Sequence, residues 1–205
     1  MKLTPYLFLT ITVTAIIGTS VWQSSAQMNK MMNHNMDEMS MELGAADANL
    51  DLRFIDAMIP HHQGAVQMAK EALKKSKRPE IQKLATAIIK AQQEEIAQLQ
   101  KWRKLWYPNM SSTPMAWHGE MGHMMTMSAS QQKAMMMSMD LGAGDAKFDL
   151  RFIDAMIPHH EGALTMAQEA LSKSKRPEIQ KLAKAIITSQ KAEIIEMQKW
   201  RKAWY

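Results

Sequence analysis

Two histidines and a methionine recur together in this chain. They lie in Phe54-Ile-Asp-Ala-Met58-Ile-Pro60-His61-His62 and, 98 residues on, in Phe152-Ile-Asp-Ala-Met156-Ile-Pro158-His159-His160. Residues three and four apart are neighbours on a helix, so Met58 can meet His61 and His62, and Met156 can meet His159 and His160. Met68 and Met166 lie seven residues beyond the first histidine of each pair, further along the same side. Imidazole and thioether together suit copper or silver. Thioethers favour Cu(I) and Ag(I), while imidazole also accepts Cu(II). The chain has 22 methionines and no cysteine, so methionine must serve as its soft ligand.

Other residues of the repeated motif can support such a site. A proline inside a helix removes one backbone bond, which leaves the Asp56 carbonyl bare one turn before the histidines. That carbonyl, or the Asp56 carboxylate, can orient an imidazole through its second N–H, with Asp154 in the same position in the second copy. Gln92 and Glu95, matched by Gln190 and Glu193, interrupt an otherwise apolar stripe. A carboxylate there needs a partner, and a histidine is the natural one. Glu95 and Glu193 are therefore expected to anchor the histidines or to ligate directly. The competing reading makes all four histidines buried structural residues satisfied by these glutamates, without metal.

Two further segments concentrate the same chemistry. Residues 27–41 carry Met28, Met31, Met32, His34, Met36, Met39 and Met41; residues 110–139 carry ten methionines with His118 and His123. Methionine fills irregular gaps well, so Met135-Met136-Met137-Ser-Met139 can be a packing helix. His34-Asn-Met36 and the Gly-containing stretch His118–Met124, with Met121, lack a regular apolar face and read better as soft-metal capture. Imidazole must be deprotonated to ligate, so binding at the histidine pairs is expected to weaken below about pH 6. Thioether sites have no such proton competitor.

Catalysis finds little support. A di-iron bundle site needs carboxylates from four helices and two Glu-x-x-His motifs. The one such spacing, Glu120-Met-Gly-His123, is unrepeated. No Gly-flanked nucleophilic serine, phosphate loop or His-Glu-x-x-His motif occurs. The chain reads as a binder and not as an enzyme.

The elements that position the motif come from an internal repeat. Residues 50–107 align without a gap on 148–205, with 43 of 58 positions identical, and the match extends upstream to Met41-Glu-Leu-Gly-Ala and Met139-Asp-Leu-Gly-Ala. Each repeat shows helical periodicity on both sides of a turn near Lys75–Arg78. The first helix runs through Pro60 with Asp47 as its expected N-cap; the second opens at Pro79 and stops near Tyr107. One such hairpin cannot bury its apolar face alone, so the expectation is an all-α four-helix bundle built from both helix-hairpin repeats. Boundaries follow: 1–26 a signal peptide, 27–44 an N-terminal Met/His-rich arm, 45–107 the first repeat, 108–138 a Met/His-rich linker and 139–205 the second repeat. The arm and linker read as flexible or short-helical.

Export is read from the first 26 residues. Lys2, an apolar run from about Tyr6 to Ile17 and Ser24-Ser25-Ala26 fit a cleavable signal, with an uncleaved anchor as the alternative. No later stretch is apolar enough to span a bilayer. Removing the signal lowers the formal net charge from +5 to +4. The basic runs at the turns lack interleaved aromatics, which argues against nucleic-acid binding. Metal ions are the expected partners, and any protein that receives copper is unknown. The competing function is an exported helical interaction module with a Met-rich surface.

The motif, together with Gly64-Ala65, Met68-Ala69, Gln92, Glu95 and Trp102, resembles the exported bacterial family of domain of unknown function 305 across both repeats. That resemblance implies a ferritin-like four-helix fold made of two helix pairs. It maps the family's histidine pair onto His61-His62 and His159-His160. The full arrangement is also similar to periplasmic copper-resistance proteins of that family. This implies copper binding, silver as a soft mimic, and a role in lowering free metal in the periplasm. The repeats differ at Leu99 against Met197, so the halves are free to bind metal unequally.

Overall fold

The computed structural model describes residues 41–119 and 121–205. Four long helices carry the fold: α1 (Leu50–Lys75), α2 (Pro79–Trp106), α4 (Phe148–Lys173) and α5 (Pro177–Trp204). Three-residue turns fold α2 back on α1 and α5 back on α4. Pro79 and Pro177 open the second helix of each pair, where a missing N–H costs nothing. α1 and α4 continue through Pro60 and Pro158 without ending. Asp47 does not cap α1. The N-cap is Asn49, without a side-chain bond, and the Asp47 carboxylate takes Arg53 Nη1 at 2.9 Å and the Asn49 N–H at 2.8 Å. The carboxylate thus bridges the chain entering α1 and a guanidinium one turn inside it.

The core is shared between the repeats. One apolar cluster joins Leu50, Phe54 and Met58 of α1 and Leu99 of α2 to Met166 of α4 and Ile186 of α5. The other joins Met68 of α1 and Ile88 of α2 to Phe148, Phe152 and Met156 of α4 and Met197 of α5. Each cluster draws on all four helices. The histidines of both motifs fall between the two clusters along α1 and α4.

Paired straps hold the repeats in register. Leu43 and Ala45 give their carbonyls to Arg53 at 2.5 and 2.6 Å, and Gly44 gives its own to Lys173 of the other repeat at 2.9 Å. Leu141, Ala143 and Gly142 do the same with Arg151 and Lys75. Charged donors on backbone carbonyls make strong bonds, so each strap is tied to both halves. Arg78 and Arg176 add cross-repeat stacking, at 4.1 Å over Trp204 and 4.3 Å over Trp106.

The segment between the repeats carries the expected short helix but also two strands that were not expected. It forms an antiparallel hairpin of β1 (Met115–His118) and β2 (His123–Thr126), then α3 (Ala129–Met135) behind a Ser128/Gln131 capping box. Met115, Met127 and Met135 are buried. Two glycines make room for it: a Cβ on Gly44 would strike the Trp117 ring, and one on Gly64 would strike the Met136 carbonyl. The linker is thereby laid along α1, where it buries Arg53 and Asp56. The expected signal and most of the N-terminal arm, including His34 and Met36, lie outside the described residues. No described helix is long and apolar enough to cross a membrane.

Residues 45–107 expressed alone would lose the α4 and α5 contributions to both clusters. That fragment is expected to show no cooperative unfolding transition as a monomer in urea. A sharp, concentration-independent transition would contradict the shared core.

Candidate metal centre

The two motifs meet at the middle of the bundle. His61, His62, His159 and His160 are all buried, and neighbouring rings follow one another in space as His62–His61–His159–His160. Ring centroids are 6.4 Å apart for His61 and His62, 3.9 Å for His61 and His159, and 6.2 Å for His159 and His160. Adjacent residues on a helix point about 100° apart. The first histidine of each pair therefore faces its counterpart, and the second faces the neighbouring helix of its own hairpin.

There the glutamates meet them. His160 Nε2 lies 2.6 Å from Glu193 Oε2 and His62 Nε2 lies 2.7 Å from Glu95 Oε2. The His62 contact is short but misaligned with the ring N–H direction, so it is a close polar contact rather than a directed hydrogen bond. His159 Nε2 donates to the Met136 carbonyl at 3.1 Å. Carbonyl and carboxylate oxygens only accept here, so the proton of His159 and of His160 sits on Nε2. Their Nδ1 lone pairs are then unshared, buried and without a protein partner, as is Nδ1 of His62. His61 has no partner on either nitrogen. An imidazole anchored through one nitrogen with the other left bare is the usual disposition of a metal-ligating histidine. Leaving such groups unsatisfied otherwise costs about 1–3 kcal/mol each.

Burial also keeps the central pair neutral. Desolvation, reinforced by the neighbouring imidazoles, pushes His61 well below the ordinary histidine range and His159 down to about 3. Proton competition at this pair therefore begins far below the pH of about 6 expected from ordinary histidine chemistry. Gln92 and Gln190, three residues before the glutamates, are buried with their Oε1 atoms unpaired.

Other expected residues are placed differently. The Asp56 carboxylate does not orient a histidine: Arg103 binds it with two nitrogens and the Met115 N–H donates to it at 2.9 Å. Burial raises its pKa, opposed by those same donors. Asp154 pairs with Arg201 at 2.6 Å, partly exposed. The motif aspartates are consumed by arginines one helix away, at the same 47-residue separation in both repeats. Met58 and Met166 are wholly buried in one apolar cluster, Met68 and Met156 in the other. The thioethers on each side of the histidine layer thus come from both repeats.

The hairpin brings His118 opposite His123, rings 6.5 Å apart and nearly parallel. Side chains alternate along a strand, so Met124 lies on the other face from His123. Met121 is exposed at the turn, and its N–H donates to His118 Nδ1 at 3.3 Å. Two methionines placed above in the arm and in a packing helix reach the buried layer. Met41 Cε and Met137 Sδ lie beside Gly162 together with His61 Nε2. The tripeptide Met-Ser-Met, at 39–41 and 137–139, was the available signal. Among the described residues, no three histidine, aspartate or glutamate side chains converge on one point.

The family described as Domain of unknown function (DUF305) matches residues 18–103 and 51–201. The chain belongs to that family. Among solved structures, CopM in the Cu(II)-bound form is 40% identical, over 76% of this chain and 97% of that one, with a TM-score of 0.60. CopM in an Ag-bound form obtained by soaking is 37% identical over the same shares, also at 0.60. A DUF305 fragment from Deinococcus radiodurans is 26% identical over 75% of this chain and 95% of that one, at 0.54. A curated relative, an uncharacterized protein of Acanthamoeba polyphaga mimivirus, is 45% identical over 49 residues, 24% of this chain. That match spans 32% of the relative's length.

Neutral buried imidazoles make the fold acid-sensitive. The unfolded chain protonates His159 near pH 6.5, whereas the folded chain resists until about 3. Stability is full above the higher value and falls as pH drops between the two, by roughly 2 kcal/mol at pH 5 for this residue. Urea unfolding of the metal-free protein at pH 7 and 5, beside His159→Gln, measures it. The variant should lose less stability over that interval; an equal loss refutes the assignment.

Proposed function

We propose that this is an exported copper-binding protein. It holds copper in the buried histidine layer and at Met/His donors outside it, lowering free metal in the periplasm and contributing to copper resistance. It sequesters or carries the metal and catalyses nothing. The observation that carries this reading is the set of buried imidazoles with unshared ring nitrogens, two of them anchored through Nε2 to an acceptor oxygen. That donor set suits Cu(I) or Cu(II), with silver a non-native substitute. Similarity to CopM, solved in Cu(I)-, Cu(II)- and Ag-bound forms, supports the same assignment.

The test is a titration of the chain from residue 27 with Cu(I), Ag(I) and Cu(II). The variant His61→Ala/His62→Ala/His159→Ala/His160→Ala is expected to lose at least one tightly bound equivalent while staying helical. If it keeps every copper, the histidines are structural partners of the two glutamates. If the unmodified chain binds none of the three ions, the reading of an exported interaction module takes its place.

A separate variant replaces the methionines of 28–41 and 110–127 with leucine. It should lose several Cu(I) or Ag(I) equivalents with little change in helix content. Unchanged stoichiometry would assign those residues to packing.

A further inference from the structure

We propose that Met137, with Met41 beside it, joins His61 above Gly162 to form a subsite for a soft monovalent cation, Cu(I) or Ag(I). This assignment rests on the copper reading of the histidine layer and names the donors and the ion class within it. The position where a Gly162 side chain would begin lies 3.2 Å from His61 Nε2, 3.3 Å from Met137 Sδ and 3.5 Å from Met41 Cε. Three groups from three separate parts of the chain thus approach one point on α4. The glycine keeps that point open.

Two independent features say that the thioether is there for its sulfur. Met137 follows the C-cap of α3 with φ of 45°, the one non-glycine residue in the left-handed region among those described. Glycine is the usual occupant of that position, because a Cβ strains it. A methionine held there at a conformational cost points to a functional constraint. The second feature is His61, fully buried with neither ring nitrogen bonded. Its nearest unclaimed donor neighbour over Gly162 is a sulfur.

The same geometry selects the ion. No three histidine, aspartate or glutamate side chains converge among the described residues, so a hard divalent ion finds no ready cage. A thioether is uncharged and soft, and it favours Cu(I) over oxygen-seeking ions. A monovalent ion also costs less to desolvate in the bundle interior than a divalent one.

The full chain from residue 27 is titrated with Ag(I), and anaerobically with Cu(I), against a competing chelator. Methionine methyls labelled with carbon-13 are followed by NMR in the same samples. Met137→Leu keeps the apolar volume and is expected to weaken one Ag(I) equivalent at least tenfold. Gly162→Ala should do the same by filling the gap, although alanine favours the helix. In the unmodified protein the Met137 and Met41 methyl signals should shift with the first Ag(I) equivalents.

A loss smaller than threefold in Met137→Leu, with His61→Ala weakened tenfold, overturns the thioether subsite and leaves the imidazole centre standing. Undiminished binding in both variants overturns the centre as well. Should Met137→Leu fail to fold, the methyl signals decide. Bound Ag(I) with both methyls unshifted refutes the proposal.

Discussion

Four imidazoles in the middle of a helical bundle impose a constraint that the rest of the molecule is arranged around. Each brings two nitrogens into the buried interior, and a neutral ring has one donor and one acceptor to satisfy. Apolar packing above and below supplies neither. The fold answers with acceptors on one side only: Glu95 and Glu193 from the second helices, and the Met136 carbonyl from the linker. These contacts set ring orientation and leave the other nitrogens bare. Replacing the layer with apolar residues would remove that polar cost, so stability alone does not account for it.

The straps and the shared core follow from placing this layer on a pseudo-twofold axis. Each hairpin contributes half of the layer, so the halves must keep register to within a fraction of a helical turn. Arg53 and Lys173 holding Leu43 to Ala45, and Arg151 and Lys75 holding Leu141 to Ala143, do this with ionic bonds to backbone carbonyls. Met41 and Met137, just ahead of the straps, reach the space beside Gly162 and His61. Symmetry stops there. β1 of the linker packs on α1 beside Asp56, so Asp56 is 1 % exposed while its counterpart Asp154 is 43 % exposed.

Much of the bundle was legible from the repeat, because helical periodicity and N1 prolines are local signals that the tertiary packing did not override. The pairing of histidines with glutamates was also legible. A carboxylate on an apolar stripe must find a partner, and the repeat shows the same two residues doing so twice. The Asp56 partner was hidden, since Arg103 sits 47 residues away among other basic residues at the end of α2. The linker strands were hidden for a different reason. Their pattern is short, rich in methionine rather than β-branched residues, and stabilised by Trp117 packing on Gly44 and Arg53. Nothing local announces that contact.

The hydrogen bonding of the layer is unequal between the halves, and volume at Leu99 against Met197 is not the reason. Both side chains are wholly buried, one in each apolar cluster, and leucine and methionine exchange with little change in volume. The asymmetry of the layer comes instead from backbone. Met136 gives its carbonyl to His159 against Gly64, while its neighbour Met137 turns its sulfur toward Gly162 and His61. The backbone is left-handed at Met137, between these two contacts. One imidazole of the central pair is thereby tied down and the other left with both nitrogens unclaimed. Two nearly identical repeats thus acquire one distinctive position from a linker that neither contains.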